Sequence, residues 1–242
     1  MWFLKNKLKL RTYQEQILGK IVGKNSFVVL PTGSGKTIIA IALASLNIDK
    51  GKILIMAPTK PLVVQHEKSF KEYFQPAEGI IHLTGAIPPL QRKELWKTSK
   101  IICATPQTIE SDLIKRYFKP EDISLVVFDE AHRAVGAYAY VWLAKQFGET
   151  SQILALSASP ASDKERLDTI KENLKIDNFE LLTEENPNLK KYLKEKKIER
   201  VMIDLPEDYK KIKAFLQKLL RKHVTILHSR QALKSKEIKD LR

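Results

Sequence analysis

The 242 residues hold 42 Lys and Arg against 28 Asp and Glu, a formal charge of +14, with 43% hydrophobic and 29% charged side chains. Such a chain suits one large soluble domain, or one domain with a piece of another, and is neither disordered nor fibrous. The single cysteine, Cys103, excludes disulfide frameworks and cysteine-based zinc sites; within KIICATP it reads as a buried small hydrophobe.

The N-terminal MWFLKNKLKLR has too short an apolar run for a signal peptide, and the longest apolar stretch, Ile38 to Leu46, is too short to cross a bilayer. A reducing, cytoplasmic location is expected. Short β-branched runs then alternate with helical patterns. The strand candidates are SFVVL from Ser26, KILIMAP from Lys52, GIIHLTG from Gly79, KIICATP from Lys100, SLVVFDE from Ser124 and QILALSAS from Gln152. Each is a nearly continuous apolar run, as parallel strands covered on both faces require. Between them, Thr37–Leu46 and Pro61–Phe74 predict helices, and Ser162-x-x-Glu165 predicts a capping box ahead of Leu167, Ile170 and Leu174. The alternation predicts a doubly wound, mainly parallel α/β sheet, with ligands at the carboxyl ends of its strands.

The character changes near Asn188. Residues 1–188 carry 25 basic and 21 acidic side chains, whereas 189–242 carry 17 and 7. This basic excess suits a polyanion partner such as nucleic acid and equally suits a solvated lysine-rich surface. ERVMIDLP predicts a strand with Val201, Ile203 and Leu205 on one face. Glu207–Lys222 predicts an amphipathic helix whose apolar residues Tyr209, Ile212, Phe215, Leu216, Leu219 and Leu220 need cover.

The chemistry begins at LPTGSGKT, which follows the first of these strands and opens a helix. Gly33 and Gly35 let the backbone approach a phosphate, and the helix N-terminus aims amides at the anion. Lys36 would reach the β- and γ-phosphates of ATP, and the Thr37 hydroxyl would ligate Mg²⁺. The first glycine of the usual pattern is replaced by Leu30. At the end of LVVFDEAH, Asp129 is placed to hold Mg²⁺ and Glu130 to orient or deprotonate water. Alone, such a pair could equally be a solvated strand end; beside Lys36 it reads as the second half of a nucleotide site.

PTGSGKT (Pro31 to Thr37), DEAH (Asp129 to His132) and SAS (Ser157 to Ser159) resemble motifs I, II and III of superfamily 2 helicases and translocases. The spellings LRTYQ, APTKPLVVQ, ATPQT, FDEAHRAVGxYAYV and LSASP are most similar to the archaeal Hef helicase–nuclease and Fanconi-anaemia M family. The resemblance implies a RecA-like ATP-binding domain over 1–188 and the start of a helical insertion over 189–242. It implies that Gln14 reads adenine, supported by Arg11 and Tyr13, and that Pro31, Thr32, Gly33, Ser34, Gly35, Lys36 and Thr37 cradle the phosphates. It assigns Pro58, Thr59, Lys60, Thr84, Gly85, Thr105 and Pro106 to nucleic acid. It implies that His132 and the hydroxyls of Ser157 and Ser159 relay the nucleotide state, with Ser159 in place of the commoner threonine. Arg133 joins Lys60 as a candidate phosphate contact, and His66, His82, His223 and His228 receive no role.

The implied partner is forked or branched DNA, with RNA left open because backbone contacts dominate. The family closes two RecA-like domains on one nucleotide, and the second supplies an arginine worth about 10³–10⁵ in rate. No segment resembles that arginine motif or a nuclease motif, so the expectation is one half of a motor, weak in ATP hydrolysis by itself. The remaining reading is a non-catalytic module that binds nucleotide and nucleic acid.

Overall fold

Six of the apolar runs become neighbouring parallel strands because a run that is apolar on every residue can be buried only from both sides. The computed structural model describes residues 3–4, 8–159, 164–192 and 202–230. Its first elements are β1 (Phe3–Leu4), α1 (Thr12–Ile21), β2 (Ser26–Val29), α2 (Lys36–Asn47), β3 (Lys52–Met56), α3 (Lys60–Tyr73), β4 (Phe74–Gln75), β5 (Ile80–Leu83) and α4 (Pro89–Thr98). Then follow β6 (Ile101–Ala104), α5 (Pro106–Ile114), β7 (Ile123–Phe128), α6 (Ala139–Phe147), β8 (Gln152–Ser157), α7 (Lys164–Asn173), β9 (Asn178–Leu181), α8 (Pro187–Lys190) and α9 (Glu207–Ser229).

Seven strands form one sheet in the order β5-β6-β3-β7-β8-β2-β9, and every pairing is parallel. The fold is α/β and RecA-like, as expected. Successive residues of a strand enter opposite cores. Val28, Leu154 and Leu156 pack with α1 and α2 residues Ile17, Ile21, Ile39 and Leu43, whereas Phe27, Val29, Ile153 and Ala155 pack with Trp96, Tyr140 and Leu143 from α4 and α6. Cys103 is fully buried in β6, where burial pushes its thiol pKa far above the usual range. A short antiparallel pair, β1 with β4, stands apart from the sheet.

The chain divides into two units, Met1–Lys194 and Glu195–Arg242. Leu189 is buried and Tyr192 packs on the same core, 5.8 Å from the Tyr13 ring, so the packing of the first unit runs past Asn188. Edge strand β9 was not expected. It is half-buried and contains Glu180, whose carboxylate pairs with Lys20 at 2.9 Å. Ser162, the expected helix cap, lies outside the described residues, while Ile170 and Leu174 are buried.

In the second unit one expectation fails. Residues 202–206 form no strand: Met202 is 94% and Ile203 84% exposed. Alternating side chains make a strand only against a neighbouring edge, and none lies against this segment among the described residues; Val201 falls outside them. The expected helix is present and longer, as α9, with Tyr209, Ile212, Phe215 and Leu216 exposed. Among the described residues no helix is long and apolar enough to cross a membrane.

Candidate functional site

The order of the sheet sorts the candidate residues. At the carboxyl ends of β7, β8 and β2 stand Asp129, Ser157 and the loop Pro31–Gly35; at those of β5, β6 and β3 stand Thr84–Gly85, Thr105–Pro106 and Pro58–Thr59. The two sets occupy contiguous halves of one edge, with β3 beside β7 at the seam.

The phosphate loop takes its shape from two glycines with positive φ, Gly33 at 80° and Gly35 at 81°. Gly35 is the N-cap of α2, so Lys36 and Thr37 are the first helical residues. Lys36 Nζ donates to the Leu30 and Pro31 carbonyls at 3.0 and 3.3 Å. Burial lowers its pKa, and the nearby Asp129 and Glu130 carboxylates oppose that shift. Carbonyl oxygens offer the ammonium only dipoles, whereas phosphate oxygens carry negative charge and attract it more strongly. Ser34 is buried and donates to the Pro31 carbonyl at 2.7 Å, whereas Thr32 and Gly33 are exposed.

Helix α1 braces this loop from below. The Tyr13 hydroxyl donates to the Ser34 carbonyl, and Gln14 Nε2 lies 3.4 Å from the Ser34 and Gly35 carbonyls. Gln14 Oε1 accepts from the Arg11 amide at 2.9 Å, satisfying a free donor at the helix start. Arg11 itself lies 4.8 Å from the Tyr192 ring. Gln14 is only 2% exposed. Reading an adenine edge would therefore require its amide to exchange the two long contacts to the loop.

Asp129 extends the line of β7, its amide donating to the Met56 carbonyl at 2.9 Å. The buried Tyr140 hydroxyl reaches the carbonyls of Met56 at 3.1 Å and Asp129 at 2.8 Å. Glu130 then adopts φ 53° and ψ 46°, a left-handed conformation that costs a non-glycine residue about 1–2 kcal/mol and turns the chain out of the strand. His132 Nδ1 lies 3.1 Å from Ser157 Oγ and 3.3 Å from Glu130 Oε2, and Ser157 Oγ donates to the Ser159 carbonyl at 2.8 Å. The acid, the histidine and the serine at the end of β8 thus form one connected group.

The residues fit a nucleotide with Mg²⁺. Glycine amides line a loop at a helix N-terminus, a lysine lies over it, and Asp129 Oδ1 takes no hydrogen bond among the described residues. No three His, Cys, Asp or Glu side chains gather into a metal cluster among those residues. A magnesium ion held by one carboxylate and substrate phosphates does not need such a cluster.

On the other half, Thr59 precedes α3, Lys60 is its exposed first residue, and Pro106 opens α5. Thr105 Oγ1 lies 2.8 Å from Thr108 Oγ1. Thr84 is buried and its carbonyl accepts from the Ile87 amide at 3.0 Å, while the space around Gly85 is open. Arg133 is exposed beyond the Glu130 turn.

Residues 11–167 match the family model for the DEAD/DEAH box helicase. The chain belongs to the DEAD/DEAH box helicase family. This helicase domain is 40% identical over 91% of its length to a Methanocaldococcus jannaschii protein provisionally named an ATP-dependent RNA helicase, covering 29% of that protein. It is 38% identical over 98% of its length to the ATP-dependent DNA helicase mph1 of Sclerotinia sclerotiorum, covering 20% of it, and 33% identical over its whole length to the Fanconi anemia group M protein homolog of Mus musculus, covering 12%. The crystal structure of the Pyrococcus furiosus Hef helicase domain is similar with a TM-score of 0.77 and 42% identity, over 97% of this chain and 51% of that one. The chain spans less than a third of these curated relatives and about half of the solved structure.

Two arrangements were invisible to sequence spacing. His66 Nε2 lies 2.8 Å from Asp129 Oδ2. Arg92 is bound by Asp112 through Nε and Nη2 at 2.7–3.0 Å, with Trp96 Nε1 on the same carboxylate at 3.0 Å and Arg92 Nη1 on the Ile87 carbonyl at 2.6 Å. That cluster ties the Thr84–Ile87 turn to α5, which starts at Pro106. Each is a contact between elements that only the folded sheet brings together.

Proposed function

We propose that this chain is the ATP-binding half of an ATP-dependent DNA helicase or translocase acting on forked or branched DNA. The observation that carries the reading is the division of one sheet edge into a phosphate-and-carboxylate half and a half of turns rich in threonine, proline and glycine, of which Thr59, Lys60 and Gly85 are exposed, joined at β3 and β7. Residues 1–188, with the packed segment through Tyr192, supply the RecA-like domain, and the chain beyond supplies the start of a helical insertion. Lys36 and the loop amides bind the β- and γ-phosphates, and Gln14, with Arg11 and Tyr13, faces the adenine. Thr37 and Asp129 hold Mg²⁺, which when bound neutralises charge on the phosphate oxygens. Glu130 accepts a proton from the attacking water. The link from Glu130 through His132 and Ser157 to Ser159 reports the phosphate state.

Pro58, Thr59, Lys60, Thr84, Gly85, Thr105 and Pro106 contact successive phosphates without reading bases. A second RecA-like domain completes the site with an arginine. The experiment is ATP hydrolysis with and without forked DNA, for the chain alone and with a separately supplied second domain, repeated for Lys36→Ala and Glu130→Gln. DNA-stimulated turnover should appear only with the second domain and vanish in both variants. Strong unwinding by the chain alone would oppose the half-motor reading. The name of the M. jannaschii relative favours RNA as a second reading; competition between matched DNA and RNA forks separates the two.

A further inference from the structure

His66 lies on α3, the helix that β3 feeds through Thr59 and Lys60, and its side chain reaches across to the end of β7. Its Nε2 is 2.8 Å from Asp129 Oδ2, with side chains only 7% and 11% exposed. An ionised carboxylate accepts and cannot donate, so Nε2 carries the hydrogen of this bond. His66 Nδ1 is buried with no partner among the described residues. An apolar side chain of similar volume would remove this unpaired nitrogen but would leave Asp129 Oδ2 without its donor. Packing of the helix gives no reason for histidine here; its one satisfied nitrogen serves the Asp129 carboxylate.

We propose that His66 is a positioning residue for the magnesium site. It fixes Oδ2 of Asp129 and so leaves Oδ1 for the ion or its water. Tyr140 from α6 holds the Asp129 carbonyl while His66 from α3 holds its side chain, so the carboxylate is set from two elements. Outer partners of this kind orient a metal-binding carboxylate. The inference rests on the proposed reading of Asp129 as the magnesium carboxylate. It also links that carboxylate to the helix whose first turn is a proposed nucleic-acid contact.

The test is ATP titrated by calorimetry into the full chain in Mg²⁺ and in EDTA, for the unaltered protein, His66→Gln, His66→Asn, His66→Leu and Lys36→Ala. Glutamine can place an amide N–H where Nε2 stands; asparagine is too short, and leucine has no donor. His66→Leu should lower affinity in Mg²⁺ about tenfold, with affinity in EDTA held within about twofold, and His66→Gln should restore the difference. An unchanged Mg²⁺ dependence in His66→Leu would overturn the role. If His66→Leu fails to fold, the amides decide: asparagine weaker than glutamine in Mg²⁺ supports the role, and equal affinities overturn it. Lys36→Ala separates the two levels. If it binds ATP as well as the unaltered chain does, or if the unaltered chain binds none, the nucleotide reading falls and this inference with it. If Lys36→Ala loses ATP while His66→Leu keeps its Mg²⁺ dependence, only the His66 role falls.

Discussion

Gly35 and Gln14 approach so closely that a Cβ on Gly35 would lie 2.7 Å from Gln14 Nε2. Gly35 therefore answers two demands, a φ of 81° and a close side-chain amide that a Cβ would displace, whereas Gly33 answers only the first, with nothing within 4 Å. Gly33→Ala should cost about 1–2 kcal/mol of backbone strain. Gly35→Ala should cost about 0.5–1.5 kcal/mol more, because the Gln14 amide must swing aside and give up its contacts to the loop, part of which Gln14→Ala should return. Urea denaturation of the two single variants and the double variant checks this; equal losses for the glycines would refute the close approach.

Arg92 and Asp112 form a buried, doubly hydrogen-bonded ion pair, with Asp112 fully inaccessible to solvent. Removing one partner strands the other charge, so Arg92→Ala should destabilise by about 3–5 kcal/mol. The double change Arg92→Met with Asp112→Leu should cost far less, because no charge is left unpaired. Their denaturation midpoints give the comparison, and a double variant worse than the single would contradict it.

What sequence could reveal follows from these contacts. Strands β2, β3, β5, β6, β7 and β8 were legible because each is a nearly continuous apolar run, and each ends in a turn that holds candidate site residues. Edge strand β9 was not, since Asn178–Leu181 is short, half-exposed and interrupted by Glu180. The strand expected around Ile203 failed for the opposite reason: the alternation is present, but among the described residues 202–206 pair with no strand. The phosphate loop and the acid pair were legible as local strings. Arg92–Asp112 and His66–Asp129 are 20 and 63 residues apart and arise only when neighbouring strands are aligned.

Glu67 bonds Lys71 at 2.8 Å and His82 at 2.6 Å. Burial raises the Glu67 pKa, but these two partners together outweigh it, and the net shift is downward from 4.5. A carboxyl whose folded pKa lies below its unfolded value stabilises fully above the unfolded value, and that contribution is lost as pH falls through the folded one. Glu67→Gln should therefore lower the melting temperature at pH 7, and the gap from the unaltered chain should close as pH falls below about 4.5. A gap independent of pH would show that the Glu67 charge is not responsible.

The second unit, residues 195–242, carries 14 basic and 7 acidic side chains. Its removal should weaken forked-DNA binding and flatten its salt dependence, because fewer counterions are released. ATP affinity should stay unchanged. Equal losses of both would mean the segment supports the fold and its charge is only a solvated face.

The division of the sheet edge is the central claim, and paired binding titrations test it most directly. ATP–Mg²⁺ and, separately, forked DNA are titrated into Lys36→Ala and into Thr59→Ala/Lys60→Ala. Lys36→Ala should lose roughly 10- to 100-fold in ATP affinity, the worth of a charge-assisted bond, and keep DNA binding. Thr59→Ala/Lys60→Ala should keep ATP binding and lose about three- to tenfold in DNA affinity. Losses that do not separate in this crossed pattern would contradict the account.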